Sequence, residues 1–455
     1  MGGDAADLTG ELCAYVAGFP ASRVPPDVVE RAKLHVLDTI GAMLSGSVLE
    51  PGRLIIDFVR QQGGVPAATV LASRVRTNAV QAALANGTMA HADETDDVHH
   101  SAQTHPGAAV VPAALALAEA EHRSGGDLVT AVVIGYDVIC RVSRALDRPW
   151  MYERGLNFRS ISAGFGSAAA ASRTLGLSEQ QTRFAMAFSA TQVSGLHTWR
   201  QDPRHVDKAV CLAGLPARNG VTAALWAREG FTATSRVFDG PDNLFQAFCE
   251  QPHPEELTRG LGTDFEILGT GIKKYPGGQP VQATLEAYFT LVGQYGLKEP
   301  DIRQIVVRLP ESEADTVNDR MMPDINCQYL LAVAMLDGAV GFAAAHDFER
   351  MLAADVLALK ERVRVVADAE LTARHPAVRA AIVEVTTSDG RCLRQMVDRT
   401  PGGPRNPLTR EEIEAKFLSL SAPVLGNRRA QNVVEQVRDL ERLPDVAGLA
   451  RLMRA

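Results

Sequence analysis

Residues 85–119, "ANGTMAHADETDDVHHSAQTHPGAAVVPAALALAE", place a dense polar loop between two apolar segments. Its centre, "HADETDDVHH" (residues 91–100), holds four acidic residues and three histidines, and His105 follows in "THPG". The flanking segments "AVQAALANGTMA" and "PGAAVVPAALALAEA" have the apolar composition of core helices. We therefore expect a loop that is anchored at both ends in a helical core, a common location for functional side chains.

Two kinds of metal site are conceivable in this loop. Asp93, Asp96 and Asp97 have the i, i+3, i+4 spacing that could hold Mg²⁺ and a diphosphate on one helix face, although no second acidic cluster completes such a site. A zinc site could use His91 with the histidine pair that follows, but the spacing is not H-E-x-x-H. We expect neither a metal nor another cofactor.

Proton transfer is the third possibility for the loop. Histidine and carboxylate side chains can be tuned to exchange protons near neutral pH, as chemistry at a carbon acid requires. The competing interpretation is a solvated loop whose charges face water. The density of polar groups and their placement between core segments favour acid/base chemistry.

Length and charge narrow the class of protein. A chain of 455 residues exceeds the size at which one hydrophobic core stops growing, so two structural units are expected. The net charge of -8 argues against nucleic acid as a partner. The six cysteines are scattered, and "MGGDAADLTG" (residues 1–10) shows no secretory signal, which together suggest a cytoplasmic protein. We expect no membrane association.

The spacing of apolar residues predicts a mainly α fold with a smaller α+β insertion. Up to about residue 260 the periodicity is helical, with Asp127 as a proposed N-cap and with Ser178 and Gln181 as a capping box. We predict a helical domain over residues 1–267 and 404–455 and an α+β lid domain over residues 268–403.

The insertion carries the strand signals. "IRQIVVRL" (residues 302–309) alternates like a strand, and Asp389-Gly390 predicts a hairpin between two further strands. "YLLAVAMLDGAVGFAAA" (residues 329–345) is too interrupted to cross a membrane and is predicted to be one buried helix.

Five segments in order resemble the MmgE/PrpD family, also called the 2-methylcitrate dehydratase family. The opening stretch is similar to the family signature "NG..AHALDFDDTH....HPG..V.PA..A.AE". The other matches are "RAKLHVLDTIGAMLSGS", "SAGFGSAAAASRTLGLS" with "SATQVSGL", "DKAVCLAGLPARNGVTAALWAREGFTA" and "GTGIKKYPGGQPVQATLEA". The resemblance implies a helical domain, a lid-like α+β domain with a cleft between them, and a homodimer. It also implies proton transfer beside a carboxylate of a small substrate, without a metal or an organic cofactor.

The resemblance assigns roles within the loop. The family's first carboxylate falls on Glu94 and its paired aspartates on Asp96 and Asp97, whereas its threonine becomes Val98. His105 matches the histidine of "HPG", with one additional residue before it. We expect His105 to move the proton, helped by Glu94, and Asp97 to contact the substrate.

The two family lysines are retained, but two histidines are missing. Lys208 matches the first lysine, with "K-x-L-H-x-G" altered to "KAVCLAG", and Lys273 in "KKYP" matches the second, with Lys274 as its neighbour and Tyr275 as a substrate contact. Asn157 or Arg159 takes the place of one lost histidine, and an arginine there could bind a carboxylate but not relay a proton near neutral pH. The position of the other histidine falls at Gly278 or Gln282.

Additional polar residues could compensate for these losses. His99 and His100 lie in the loop, and "HTWRQDPRH" (residues 197–205) supplies His197 and Arg200 as further candidates for substrate binding, although His197 could equally be a packed helix-end residue. Trp199 in the same segment is more typical of packing.

These assignments predict one mechanism and leave alternatives open. His105, Lys208, Lys273 and Glu94 are the predicted catalytic residues, with the two lysines stabilising enediolate charge. A dehydratase or decarboxylase type of lyase is expected. The alternatives are an isomerase or epimerase of the same family with an unusual substrate, a Mg²⁺-dependent diphosphate enzyme, and a non-catalytic scaffold.

Overall fold

The structure, a computed structural model, describes residues 7–455, so residues 1–6 of the "MGGDAADLTG" segment lie outside it. The chain forms two compact units. The first, which we call the helical unit, contains residues 7–92, 96–270 and 410–455. The second, the α+β unit, contains residues 93–95 and 271–409. Among the described residues no helix is both long enough and apolar enough to cross a membrane.

The helical unit is built almost entirely of α-helices, which confirms the prediction of a mainly α protein. Its longer helices are α1 (Leu8–Gly18), α2 (Pro26–Gly46), α3 (Glu50–Gln62), α4 (Ala79–Ala90), α5 (Pro106–Ala120), α6 (Gly125–Ala145), α8 (Phe158–Leu175), α9 (Glu179–Gln192), α11 (Leu215–Arg228), α20 (Arg410–Leu425) and α21 (Asn427–Arg438). The shorter ones are α7 (Arg148–Glu153), α10 (Val206–Ala209), α12 (Leu244–Phe248) and α22 (Ala447–Leu452). Three short strands complete it: β1 (Ala68–Thr69), β2 (Arg76–Thr77) and β3 (Val98–His99).

Local capping explains where two of these helices begin. Ser178 caps α9 and exchanges hydrogen bonds with Gln181, as predicted. The prediction that Asp127 caps α6 is wrong, because Ser124 is the N-cap and Asp127 is its capping-box partner at the third helical position. The periodicity of the apolar stripe located the helix but not its first turn.

Small residues allow the central helices to approach one another closely. Helix α6 packs against α8, α8 against α11, and α4 against α5. A Cβ atom on Gly135 would lie 2.4 Å from Val110 Cγ1 and 3.1 Å from the carbonyl oxygen of Gly166. The many alanines and glycines of these helices therefore set the helix spacing of the core.

The α+β unit contains one mixed sheet and several helices. Its strands are β5 (Ile302–Leu309), β6 (Val363–Ala367), β7 (Ala381–Thr387) and β8 (Cys392–Val397), and β4 (Thr270–Gly271) lies at its boundary. Its helices are α13 (Gln279–Tyr295), α14 (Glu311–Val317), α15 (Cys327–Asp337), α16 (Phe342–Ala345), α17 (Phe348–Met351), α18 (Ala354–Lys360) and α19 (Ala369–Arg374).

The four long strands have the order β6-β5-β7-β8. Strand β5 is parallel to β6 and antiparallel to β7, and β7 and β8 form the hairpin predicted at Asp389-Gly390. The predicted strand over residues 302–309 is also confirmed. A register shift between Ile302 and Gln304 leaves two consecutive exposed residues in β5, which explains the break in its alternation.

The prediction of one buried helix over residues 329–345 is wrong. Helix α15 ends at Asp337 because Gly338 adopts a left-handed conformation, with φ of 68°, and α16 begins only at Phe342. The apolar composition of the segment masked this helix stop.

Candidate active site

The polar loop between α4 and α5 is buried rather than solvated. His91, Asp96, Asp97 and His99 in the helical unit are each at most 4% exposed, and Glu94 in the α+β unit is equally buried. The alternative of a solvated loop is therefore wrong. Buried charges require partners, so the hydrogen bonds of these side chains define what the loop does.

Asp97 is held by three donors from three helices. Its Oδ2 atom accepts hydrogen bonds from His35 Nδ1 at 2.7 Å and from the Tyr136 hydroxyl at 2.6 Å, and its Oδ1 atom accepts one from the Gly107 amide at 2.9 Å. Burial lowers the pKa of His35 and raises that of Tyr136 well above its usual value, which leaves both neutral donors. The carboxylate of Asp97 is therefore engaged in fixing the loop.

The "HPG" motif shapes the turn into α5. His105 is the N-cap residue, Pro106 is the first helical residue, and Gly107 follows. A Cβ atom on Gly107 would lie 2.5 Å from Thr39 Oγ1 and 2.9 Å from Asp97 Oδ1. Only glycine leaves room for the carboxylate to reach the helix N-terminus at this position.

His105 has a defined tautomer. Its Nδ1 atom lies 2.9 Å from the backbone oxygen of Asp97 and 3.1 Å from Asp96 Oδ2. A carbonyl oxygen only accepts hydrogen bonds, so Nδ1 carries a proton, and in the neutral ring the lone pair is then on Nε2. The side chain is 16% exposed, which leaves the imidazole accessible as a base.

His91 and Asp96 form a second buried pair beside His105. Asp96 Oδ2 lies 2.7 Å from His91 Nδ1, and the rings of His91 and His105 are 4.8 Å apart. Burial lowers the pKa of His91 to about 3, against the opposing effect of Asp96 and with a contribution from the charge of Lys208. His91 is therefore a neutral hydrogen-bond donor at physiological pH.

The distances among His91, Asp96 and His105 fit hydrogen bonds rather than a zinc site. Potential ligand atoms of His91, Asp96 and His105 all lie within 4.8 Å of one another. The ligands of a tetrahedral Zn²⁺ ion are about 3.3 Å apart, given metal–ligand bonds of about 2.0 Å. The separation of 2.7 Å between His91 and Asp96 is a hydrogen-bond distance instead.

His99 belongs to a separate buried ion-pair network. Its Nδ1 atom accepts a hydrogen bond from the Ala102 amide, so its Nε2 atom donates to Glu266 Oε2, 3.2 Å away. Arg144 binds both oxygens of Glu266. Although burial opposes it, hydrogen bonds from Arg144 and His99 hold the pKa of Glu266 at about 2. Burial raises the pKa of the adjacent Cys140 thiol, and a protonated thiol is a poor metal ligand, so His99, Cys140 and Glu266 form a poor metal site.

Lys208 links the loop to an aromatic and cationic cluster. It is 6% exposed, and its Nζ atom lies 5.6 Å from the ring centroid of Trp199. The guanidinium of Arg200 lies 5.8 Å from the same ring. The positive charge of Lys208 also contributes to the lowered pKa of His91.

The helix that carries Lys208 contains a π-helical turn over Val210–Gly214. A π turn accommodates one additional residue within a helix, and such turns are frequent at functional sites. The π turn covers "VCLAG", the end of the segment "KAVCLAG" in which the sequence departs from the family pattern "K-x-L-H-x-G".

Two predicted substrate-binding residues, His197 and Arg200, belong to this cluster and contact Tyr152. His197 packs 4.8 Å from the ring of Tyr152, and Arg200 donates a hydrogen bond to the Tyr152 hydroxyl. Burial, together with the charges of Arg200 and Arg159, lowers the pKa of His197 to about 4.

Asn157, Arg159 and His100 occupy simpler positions. Asn157 is the N-cap of α8 and accepts a hydrogen bond from the Arg159 amide. The Arg159 guanidinium lies 4.5 Å from the ring centroid of Phe158. His100 is half-buried next to His99.

A cavity of about 230 Å³ opens beside the π turn. Its walls include Ser160, Asp207, Cys211 and Asn219, and the Ser160 hydroxyl lies 3.4 Å from the Cys211 sulfur. None of the predicted site residues is among the described residues that line this cavity.

In the α+β unit Lys273 and Glu94 form a buried pair. Lys273 Nζ donates hydrogen bonds to Glu94 Oε2 at 3.1 Å and to the Glu94 backbone oxygen at 3.0 Å. Glu94 has a φ of 55°, a conformation that is uncommon for a residue with a side chain and that often marks functional loops. The two adjacent lysines differ in burial, because Lys273 is 2% exposed whereas Lys274 is partly exposed and pairs with Glu286.

The turn that carries Lys273 is braced by Gln282. Its Oε1 atom accepts hydrogen bonds from the backbone amides of Lys274 and Tyr275, and its Nε2 atom donates to the backbone oxygens of Tyr275 and Gly277. All four hydrogen bonds of the amide are satisfied, so Gln282 acts as a structural brace. The Tyr275 hydroxyl donates to Glu286.

Several residues of these groups were missed by sequence reasoning. His35 and Tyr136 bind Asp97, Glu266 binds His99, and His346 contacts the backbone oxygen of Asp93 with its Nε2 atom at 3.0 Å. The sequence feature that could have identified His35 is a polar side chain within a largely apolar helical segment, "KLHVLDTIGAML", residues 33–44.

Taken together, the fold and these side chains define a mainly helical protein whose buried loop presents an oriented imidazole, with a buried lysine in each unit. Family models support a closer assignment. The MmgE/PrpD N-terminal domain matches residues 10–257, and the MmgE/PrpD C-terminal domain matches residues 275–442. The chain belongs to the MmgE/PrpD family.

Curated relatives are similar in sequence to nearly the whole chain. The chain is similar to the cis-aconitate decarboxylase-like protein oryM of Aspergillus oryzae, with 29% identity over 98% of this chain and 97% of the relative. It is also similar to the cis-aconitate decarboxylases of Aspergillus terreus (25% identity, 98% and 96%) and Homo sapiens (26%, 98% and 94%). Identity at this level supports a common fold and related chemistry.

Proposed function

We propose that the protein is a cofactor-independent lyase of the decarboxylase or dehydratase type that acts on a small carboxylate. The observation that carries this proposal is the tautomer of His105, whose Nδ1–H is bound inward and whose Nε2 lone pair is left for a substrate. An imidazole held in this way can serve either reaction: in elimination of water it removes the proton from the carbon beside a carboxylate, and in decarboxylation it delivers a proton to the carbanion that is left when CO₂ departs. The names of the relatives support decarboxylation and suggest cis-aconitate as the first compound to test.

Buried cations supply the complementary part of the mechanism. Removal of a proton or departure of CO₂ from the carbon beside a carboxylate places additional negative charge on the oxygens of that carboxylate, and cations with little access to water stabilise this charge most strongly. Lys208 in the helical unit and Lys273 in the α+β unit are both buried. We assign them this role, with Glu94 as the partner of Lys273.

The cluster around Trp199 is the proposed binding surface for a substrate carboxylate. His197 Nε2 and Trp199 Nε1 are buried without a hydrogen-bond partner among the described residues, which is typical of atoms that meet a ligand. Arg200 and Lys208 flank the same indole ring. Arg159, Asn157, His99, His100, Asp97 and Tyr275 complete the proposed set of substrate contacts.

Incubation with cis-aconitate and related acids in D₂O tests the proposal. The expected result is release of CO₂ or water with formation of an alkene product that is followed by NMR, at a rate that EDTA does not change. Absence of turnover with the whole set of small di- and tricarboxylates would contradict the proposal.

An epimerase or isomerase of the same family is the second candidate. It is favoured by the loss of a family histidine whose place is taken by Asn157, a helix N-cap here, or by Arg159, because neither side chain relays a proton near neutral pH. Such an enzyme would incorporate deuterium into recovered substrate without losing CO₂ or water, so the same experiment distinguishes the two functions. A Mg²⁺-dependent diphosphate enzyme is disfavoured because both oxygens of Asp97 already accept hydrogen bonds.

A further inference from the structure

A continuous chain of buried hydrogen bonds connects helix α2 to the proposed base. His35 Nδ1 and the Tyr136 hydroxyl both donate to Asp97 Oδ2, and the backbone oxygen of Asp97 accepts the hydrogen bond from His105 Nδ1. His35 and Tyr136 are fully buried, and their rings are 5.4 Å apart. Neither residue was singled out by the sequence, and the proposed mechanism does not require either to touch a substrate.

The contacts of Asp97 determine where its backbone oxygen lies. Three donors from α2, α6 and the first turn of α5 fix both oxygens of the side chain. With its side chain fixed on both oxygens, the residue has little freedom to rotate its peptide group. The acceptor that selects the Nδ1–H form of His105 is therefore fixed by residues remote from the imidazole.

The small net stability that such a network provides also suggests that its role is to orient polar groups. A buried carboxylate with two buried aromatic donors gains little net stability over apolar side chains of similar volume. What such a network provides is one defined arrangement of polar atoms. Here the arrangement ends at the single imidazole whose tautomer decides whether it can accept a proton.

We infer that His35 and Tyr136 are positioning residues that act through Asp97 to keep His105 in the Nδ1–H tautomer. The expected effect on turnover rests on the proposed function, whereas the expected effect on the tautomer of His105 does not. Asp96, held by His91, supports the same nitrogen from the other side. Loss of one donor to Asp97 should loosen the peptide group and allow the Nε2–H tautomer to form, which cannot accept a proton through Nε2.

The chain offers a matched control for this inference. The Tyr15 hydroxyl donates to Asp137 Oδ2, so Tyr15→Phe removes a buried tyrosine–aspartate hydrogen bond of the same type as Tyr136→Phe does. Both variants lose one hydroxyl and little volume, and we expect similar decreases in thermal stability. Only Tyr136 is connected to His105.

The test is the tautomer of His105, measured by two-bond ¹H–¹⁵N NMR of histidine-labelled protein and assigned with His105→Gln. We expect the Nδ1–H form in the wild type and in Tyr15→Phe, and a mixture of both forms in Tyr136→Phe. With cis-aconitate as substrate, Tyr136→Phe should lower kcat on the order of tenfold with KM unchanged, whereas Tyr15→Phe should leave both constants unchanged.

Three results would overturn the inference: the Nε2–H form in the wild type, an unchanged tautomer in Tyr136→Phe, or an equal loss of kcat in Tyr15→Phe. Failure of the proposed function gives a different pattern. If cis-aconitate is not converted, or if His105→Gln retains full activity, the function fails while the tautomer measurements still decide the positioning role.

Discussion

At the scale of single residues, burial rather than charge determines what the polar loop does. The acidic residues and histidines of residues 91–100 resemble a metal site when they are read as a string, but the structure pairs them. Asp96 binds His91, Asp97 binds His35, and His99 binds Glu266. His105 differs from these histidines because its side chain is 16% exposed, whereas theirs are at most 4% exposed.

The low pKa of His91 predicts a loss of stability in acid. The folded pKa of about 3 lies below the ordinary value of 6.5, so between these two pH values the unfolded chain binds more protons than the folded one. The free energy of unfolding therefore falls as the pH decreases through this range. Between pH 6.5 and about pH 5 the loss amounts to about 2 kcal/mol. Urea unfolding of His91→Gln should show a shallower decrease than the wild type. The exposed His122 provides the control, because His122→Gln should keep the wild-type slope, and equal slopes for all three proteins would contradict the prediction.

The two adjacent lysines allow a sharp comparison. Lys273 is buried against Glu94, whereas Lys274 is partly exposed and pairs with Glu286. We expect Lys273→Met to lower kcat on the order of 100-fold, because a cation shielded from water is lost where charge develops. Lys274→Met should change kcat by less than about twofold, as a surface ion pair contributes little. The steady-state rates of both variants check the assignment, which fails if Lys274→Met is the more damaging change.

At the scale of elements, the "HPG" turn shows how a helix start can position a site. Gly107 admits the Asp97 carboxylate to the first turn of α5, and His105 caps that helix. The same elements show what a sequence can and cannot reveal. The strand over residues 302–309 was predictable because its apolar residues alternate, and the hairpin was predictable from Asp389-Gly390.

The contacts missed by the sequence analysis share one physical cause. His35 and Tyr136 lie 62 and 39 residues from Asp97 along the chain, on helices that also carry other buried polar side chains such as Asp38 and Asp137. Periodicity predicts that such side chains are buried but not which partner they meet. The location of His105 was predictable from its motif, whereas its tautomer depends on the tertiary arrangement of three helices.

Substitution of Gly107 tests the close approach in this turn. Gly107→Ala would place its Cβ atom 2.8 Å from the Tyr136 hydroxyl and 2.5 Å from Thr39 Oγ1. We expect a loss of about 1–3 kcal/mol in the free energy of unfolding, as for other overpacked core positions. Gly448→Ala in α22 is the control, since its Cβ atom would meet nothing within 4 Å and the helix would gain propensity. Urea denaturation of both variants measures these changes, and a Gly107→Ala protein with the wild-type free energy of unfolding would contradict the described packing.

At the scale of the whole molecule, the two family models match residues 10–257 and 275–442, and the relative from Aspergillus oryzae matches 98% of the chain. The proposed homodimer is expected from the family resemblance. Sedimentation-equilibrium experiments should give twice the mass of the chain at micromolar concentration, and a monomer there would contradict this expectation.

The central claim is that His105 transfers the proton at the reacting carbon of the substrate. The most direct measurement is the rate of CO₂ release from cis-aconitate by wild type, His105→Gln and the surface variant His122→Gln, with folding verified by thermal unfolding. We expect His105→Gln to be slower by at least about 100-fold and His122→Gln to match the wild type. A His105→Gln protein that is folded and retains the wild-type rate would contradict the account.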